Sequence, residues 1–116
     1  MAIDRRRLLI VRDRSKMKYM KQSTTTIATL AASQYIGKLC RHFRHKIETE
    51  YTPTTGLATF PFGTCNMTAT PTHLTFDIAA DNAESVEKIK GVLVRHLDKF
   101  AYKEQLIVEW QDGSRG

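Results

Sequence analysis

The chain has 116 residues, 41% of them hydrophobic and 26% charged, with a formal charge of +6. That length fits one domain with its own core and leaves no room for a second. Two cysteines without a signal peptide imply a reducing, cytoplasmic setting, and the longest early apolar stretch, Leu8 to Val11, is too short for export or membrane anchoring to be expected.

The charge is unevenly placed. Residues 1–22 carry eight basic side chains, among them Arg5, Arg6, Arg7, Lys18 and Lys21, against Asp4 and Asp13, whereas the rest of the chain balances ten basic against ten acidic. We therefore read residues 1–22 as a disordered basic extension, residues 23–112 as the domain and residues 113–116 as a flexible tail. An arm of this kind could neutralise phosphates. It has Tyr19 as its single stacking aromatic and no groove-reading helix after it, which disfavours nucleic acid as the partner.

Thr24 to Leu30, TTTIATL, is a β-branched run suited to a strand. A helix is expected from about Ala32, because Ile36, Leu39, Cys40, Phe43 and Ile47 recur at three- and four-residue spacing and form one apolar stripe. Ile47 to Thr52 reads as a strand with Glu48 and Glu50 on one side, and Pro53 to Gly56 as a hairpin loop. Leu57–Phe60 and Thr64–Thr70 read as strand around Phe60-Pro61-Phe62-Gly63, a tetrad expected to form a bulge or edge kink. After a turn at Pro71–His73, Leu74, Phe76 and Ile78 alternate with polar or small residues in a half-buried strand.

Asp81-Asn82-Ala83-Glu84 offers a capping box with Asp81 as the cap. The helix that follows buries Val86, Ile89, Leu93, Leu97 and Phe100, and the alternation of Leu106, Val108 and Trp110 predicts a last strand. The order β-α-β-β-β-α-β, with three or four strands between the helices, favours an α+β fold: a mainly antiparallel sheet with both helices on one face. The TATA-binding-protein-like fold and, as an alternative, the ferredoxin-like sandwich share this alternation.

Taken together and in order, LCRHFRHK, FPFGTC, HLDKFAYKE and the final segment with Trp110 resemble the bacterial family catalogued as domain of unknown function 2218. The resemblance covers about Thr24 to Gln111. It implies a small α+β domain without an assigned activity, and it implies that residues 1–19 are an appendage, since members begin shortly before the TTTIAT strand.

The residues able to carry chemistry are Cys40, His42, His45, Lys46, Cys65 and His96. Cys40 lies in the apolar stripe and reads as core. His42 and His45 are three apart and could share a ligand, or could simply belong to a solvated face with Arg41 and Arg44. His96 falls at the edge of the second stripe, so its imidazole needs a partner: a backbone carbonyl, a carboxylate such as Glu104, or a pocket shared with Cys65 or His45.

The spacing offers neither CxxC nor HxxxH, so no metal centre is expected, and no cofactor is implied. The expected function is a non-enzymatic binding or accessory module for a small anion, a metal complex or a partner protein, with His42, His45, Lys46, Gly63, Cys65 and His96 as the ligand-binding candidates. The alternatives are a small enzyme using Cys65 with His45 or His96, and nucleic-acid binding through the arm. A homo-oligomer is left open.

Overall fold

In a computed structural model that describes residues 21–114, the chain forms β1 (Lys21–Ala28), α1 (Ala32–Phe43), β2 (Glu48–Tyr51), β3 (Thr55–Phe60), β4 (Gly63–Ala69), β5 (His73–Ala80), α2 (Ala83–Phe100) and β6 (Gln111–Ser114). Four strands separate the helices. The sheet runs β2-β3-β4-β5-β1-β6, and each neighbouring pair is antiparallel. The expected basic extension falls largely on residues 1–20, outside the described residues. Lys21 and Gln22 already belong to β1, and Gly113 and Ser114 pair with them, so the ladder is longer at both ends than the domain boundaries expected from composition.

Alternation explains the sidedness of the sheet. Ile27, Ala58, Cys65, Met67, Leu74, Phe76 and Ile78 point to one face and are buried there beneath both helices. The other face carries Thr24, Thr26, Thr59, Thr68, Thr75, Asn66 and Asp77. There the Thr24 hydroxyl donates to the Asp77 carboxylate at 2.6 Å, and the Thr26 and Thr75 hydroxyls pair at 3.2 Å. Thr24, Asp77, Thr26 and Thr75 thus satisfy one another across neighbouring strands on this polar face.

Both helices bury the stripes that spacing predicts, except that Phe100 is only half-buried. Ile36, Leu39, Cys40 and Phe43 of α1 and Val86, Ile89, Leu93 and Leu97 of α2 are all buried, each large aliphatic adding roughly 1.5–3 kcal/mol on leaving water. Ile47, predicted to continue the first stripe, lies beyond the helix and is half-buried against the core.

Four local expectations are corrected. The cap of α2 is Asn82, whose amide oxygen accepts from the Ser85 N–H at 2.8 Å, rather than Asp81. β5 continues through Ala80, so the extended residue beside the first turn is Asn82. The Phe60–Gly63 tetrad is a hairpin turn and not a bulge: Phe60 pairs with Gly63, which leaves Pro61 and Phe62 as the connection, where a missing amide donor disturbs no ladder.

Gly56 is a strand residue and not part of the preceding loop; a Cβ there would stand 2.9 Å from Ile36 Cγ2, so its role is close helix packing. Residues 105–110 form no regular strand. Leu106, Val108 and Trp110 do pack against the core, but the Thr25 hydroxyl donates to the Glu109 carbonyl at 2.7 Å, and the regular ladder starts only at Gln111.

Candidate functional site

The end of α1 is built by one carbonyl. Phe43 O accepts from both Lys46 N, at 2.9 Å, and Ile47 N, at 3.0 Å, which folds the chain back into β2 and spreads Arg44, His45 and Lys46 around the helix terminus. Cations suit that end, where the helix dipole leaves partial negative charge. With Ile47, Glu48, Thr49, Glu50, Leu57 and Thr59, these three side chains line a shallow depression of about 620 Å³. One wall is cationic, the strand beside it carries Glu48 and Glu50, and Leu57 and Thr59 lie on β3.

His42, one turn earlier, points elsewhere. Its ring meets that of His96 on α2, with centroids 4.5 Å apart and planes tilted by 50°. Phe43 stands edge-on to His96 at 5.2 Å, and Phe100 edge-on to His42 at 6.1 Å. The aromatic seam continues from Phe43 to Phe60 at 6.0 Å, and from Phe60 to Phe62, stacked at 5.9 Å under the Lys88 ammonium.

The His96 Nδ1 lies 2.7 Å from the Val92 carbonyl. A carbonyl can only accept, so Nδ1 carries the hydrogen and the lone pair of the neutral ring is on Nε2. Partial desolvation by its neighbours, and then the charges of His96, His45, Lys99 and Lys46, hold the His42 imidazole below its ordinary pKa.

Gly63 and Cys65 are in the core. Cys65 faces Ala58 on one side and Ile78 on the other, is fully buried, and has the Asn66 carbonyl 3.7 Å from its sulfur. Burial, and then the Asp77 charge, push its thiol far above the ordinary range; burial also raises Cys40. The candidates therefore separate into three places. His45 and Lys46 line the depression, His42 and His96 meet between the helices, and Gly63 and Cys65 lie within the packed sheet face.

Of the partners left open for His96, the carboxylate of Glu104 is engaged elsewhere. His96 takes the backbone carbonyl, while the Glu104 carboxylate accepts from Tyr35 Oη and, with its two oxygens 3.0 and 3.1 Å away, from Thr29 Oγ1. This network ties the chain leaving α2 to α1 and to the end of β1. Spacing gave no sign of it, because the three residues lie on separate segments. A second cluster that spacing missed joins Lys90 to Asp112 at 2.7 Å and to Glu87 at 2.9 Å, with Ser23 also donating to Asp112 at 2.6 Å.

Desolvation, and then the hydrogen bond to Glu104, raise Tyr35 from 10.0 to about 12. The folded state therefore holds this proton more tightly than the unfolded chain does. The resulting stability is complete below the unfolded value of 10.0 and is lost as pH climbs towards 12. Tyr35→Phe is expected to cost about 1–3 kcal/mol at neutral pH, and to flatten the alkaline limb of a denaturant-midpoint profile taken across that window.

Residues 24–111 match the family model described as an uncharacterised protein conserved in bacteria, domain of unknown function 2218. The chain belongs to this family. Among solved structures, it is similar to the NMR structure of PA4090 from Pseudomonas aeruginosa, with 33% identity and a TM-score of 0.70 over 79% of this chain and 96% of that one. No curated protein matches the chain. The family assignment thus supplies the fold and the bacterial distribution but no activity. Among the described residues, no helix is long and apolar enough to cross a membrane.

Proposed function

We propose that this domain is a non-catalytic binding module that captures a small anion at the C-terminal turn of α1. The observation that supports the reading is the concave surface that Arg44, His45 and Lys46 line together with residues of β2 and β3. Arg44 brings a planar fork suited to carboxylate or phosphate, Lys46 a point charge, and His45 a ring that gains charge as pH falls. Glu48 and Glu50 on the adjoining strand repel a bare polyanion, so the surface favours a compact anion held against the helix turn.

The same domain has no accessible thiol to serve the enzymatic alternative, since both cysteines are buried. The nucleic-acid alternative rests on the basic segment, most of which lies outside the described residues.

Inorganic phosphate and citrate, each titrated into the full chain, are the probes. Either is expected to raise the thermal midpoint of the unaltered protein. The pair His45→Ala and Lys46→Ala should remove that rise while changing the stability of the free protein by about 0.5 kcal/mol or less, because both side chains are exposed. A rise that survives the double substitution would sink the reading, as would two probes that shift nothing.

A further inference from the structure

We propose that His42 and His96 form a two-imidazole site for a late first-row divalent metal ion, Zn²⁺, Ni²⁺ or Cu²⁺, bridging the ends of α1 and α2. The inference is independent of the anion site, since it rests on a different pair of side chains.

Ring separation is the first support. A metal–nitrogen bond of about 2.0–2.1 Å places a ligating imidazole's centroid roughly 3.2 Å from the ion, so two rings meeting at 90–109° have centroids roughly 4.5–5.2 Å apart. The observed 4.5 Å falls in that range. Imidazole nitrogen suits zinc, nickel and copper, whereas magnesium and calcium prefer oxygen.

Orientation is the second. His96 donates Nδ1–H to the Val92 carbonyl at 2.7 Å, the outer-shell bond that fixes the tautomer of a metal-ligating histidine and leaves Nε2 to coordinate. Phe43 and Phe100 stand edge-on to the two rings and limit their rotation. Each ring is carried by a helix anchored in the core, so closing the site reorganises little of the chain.

Access is the third. His42 is exposed and His96 half-buried, which leaves a path from solvent. Lys46 and Lys99 stand close enough to His42 to oppose a bare dication. Among the described residues, no group of three or more His, Cys, Asp or Glu side chains converges to hold a metal. The pair therefore supplies two ligands, and water or an added anion fills the other positions.

The chain has four histidines, so the other two, His45 and His73, serve as internal controls. Ni²⁺ titrated into the full chain near neutral pH, followed by calorimetry, is expected to bind at one equivalent. His42→Gln and His96→Gln should each weaken it by about tenfold or more. His45→Gln, His73→Gln and the His45→Ala, Lys46→Ala pair should leave it within about threefold, so that failure of the anion reading is not mistaken for failure of this one.

Nitrogen-detected imidazole spectra with Zn²⁺ supply a readout on the unaltered protein, should the glutamine at position 96 fail to fold. The His42 and His96 resonances should move together while those of His45 and His73 stay in place. The proposal is overturned if the unaltered chain shows no saturable binding. It is equally overturned if binding is lost with His45→Gln and kept with His96→Gln, a result that would place the ion on the His42–His45 turn of α1.

Discussion

Iodoacetamide is expected to modify Cys65 in the folded protein at about one-thousandth of the rate seen in denaturant, or less. The attacking species is the thiolate, and two features suppress it. The side chain has no exposed surface, and burial followed by the Asp77 charge drives the thiol far above its ordinary pKa. Reaction then has to wait for the chain to open. For a domain stable by about 5 kcal/mol or more, the open population is about 10⁻⁴. Peptide mass mapping of a time course, with and without urea, reads this directly, and Cys40, also fully buried, should follow the same course. Rapid labelling of Cys65 in the absence of denaturant would return the thiol to the surface and with it the case for nucleophilic catalysis. Slow labelling leaves the imidazoles and cations as the accessible chemistry of the described domain.

What the sequence disclosed follows from the range over which each signal acts. The stripe Ile36, Leu39, Cys40 and Phe43 is a periodic pattern within one helix, and Leu74, Phe76 and Ile78 one within one strand, so burial on the shared face could be read from either. The placement of Cys40 in the core and of His96 at a helix edge came from the same wheel, which left the partner of His96 open among a backbone carbonyl, a carboxylate and a shared pocket.

Offsets of a single residue were beyond it. Asp81 and Asn82 are both good caps, and the choice between them depends on where β5 ends. Leu106, Val108 and Trp110 alternate as a strand does and do face the core, yet a threonine hydroxyl of β1 meets the Glu109 carbonyl where a regular backbone ladder was expected. The meeting of His42 with His96 was least accessible of all. It depends on how α1 and α2 lie against each other on the sheet, and no spacing within either helix encodes that. Absence of HxxxH therefore spoke only to sites built on one helix.

Gly63→Val is expected to destabilise the domain by about 3 kcal/mol or more, which for a domain of this size is a fall of about 12–24 °C in thermal midpoint. The residue opens β4 and pairs with Phe60 across the turn and with Ala80 across the sheet. A Cβ on it would stand 2.6 Å from the Ala79 carbonyl oxygen, 2.8 Å from Ala80 Cβ and 3.0 Å from Ile89 Cδ1.

The closest of these neighbours is backbone in the adjacent strand, held by its own ladder, so relief requires β4 to move away from β5 and from α2. Valine adds two methyl groups in the same space. Against this, a β-branched residue gains at most about 1 kcal/mol from strand preference and from a less disordered unfolded chain. The clash wins. Gly56→Ala should cost less than Gly63→Ala, because the atoms a Cβ meets at position 56 are side-chain ends: Ile36 Cγ2 at 2.9 Å, Cys40 Sγ at 3.2 Å and Met67 Sδ at 3.3 Å. Gly113→Ala, where a Cβ meets nothing within 4 Å, should stay within about 0.5 kcal/mol of the unaltered protein. If Gly63→Val instead keeps its midpoint and loses phosphate or citrate capture, the FPFGTC turn belongs to the binding surface; the expected order, 63 above 56 above 113, assigns that glycine to the contact between sheet and helix.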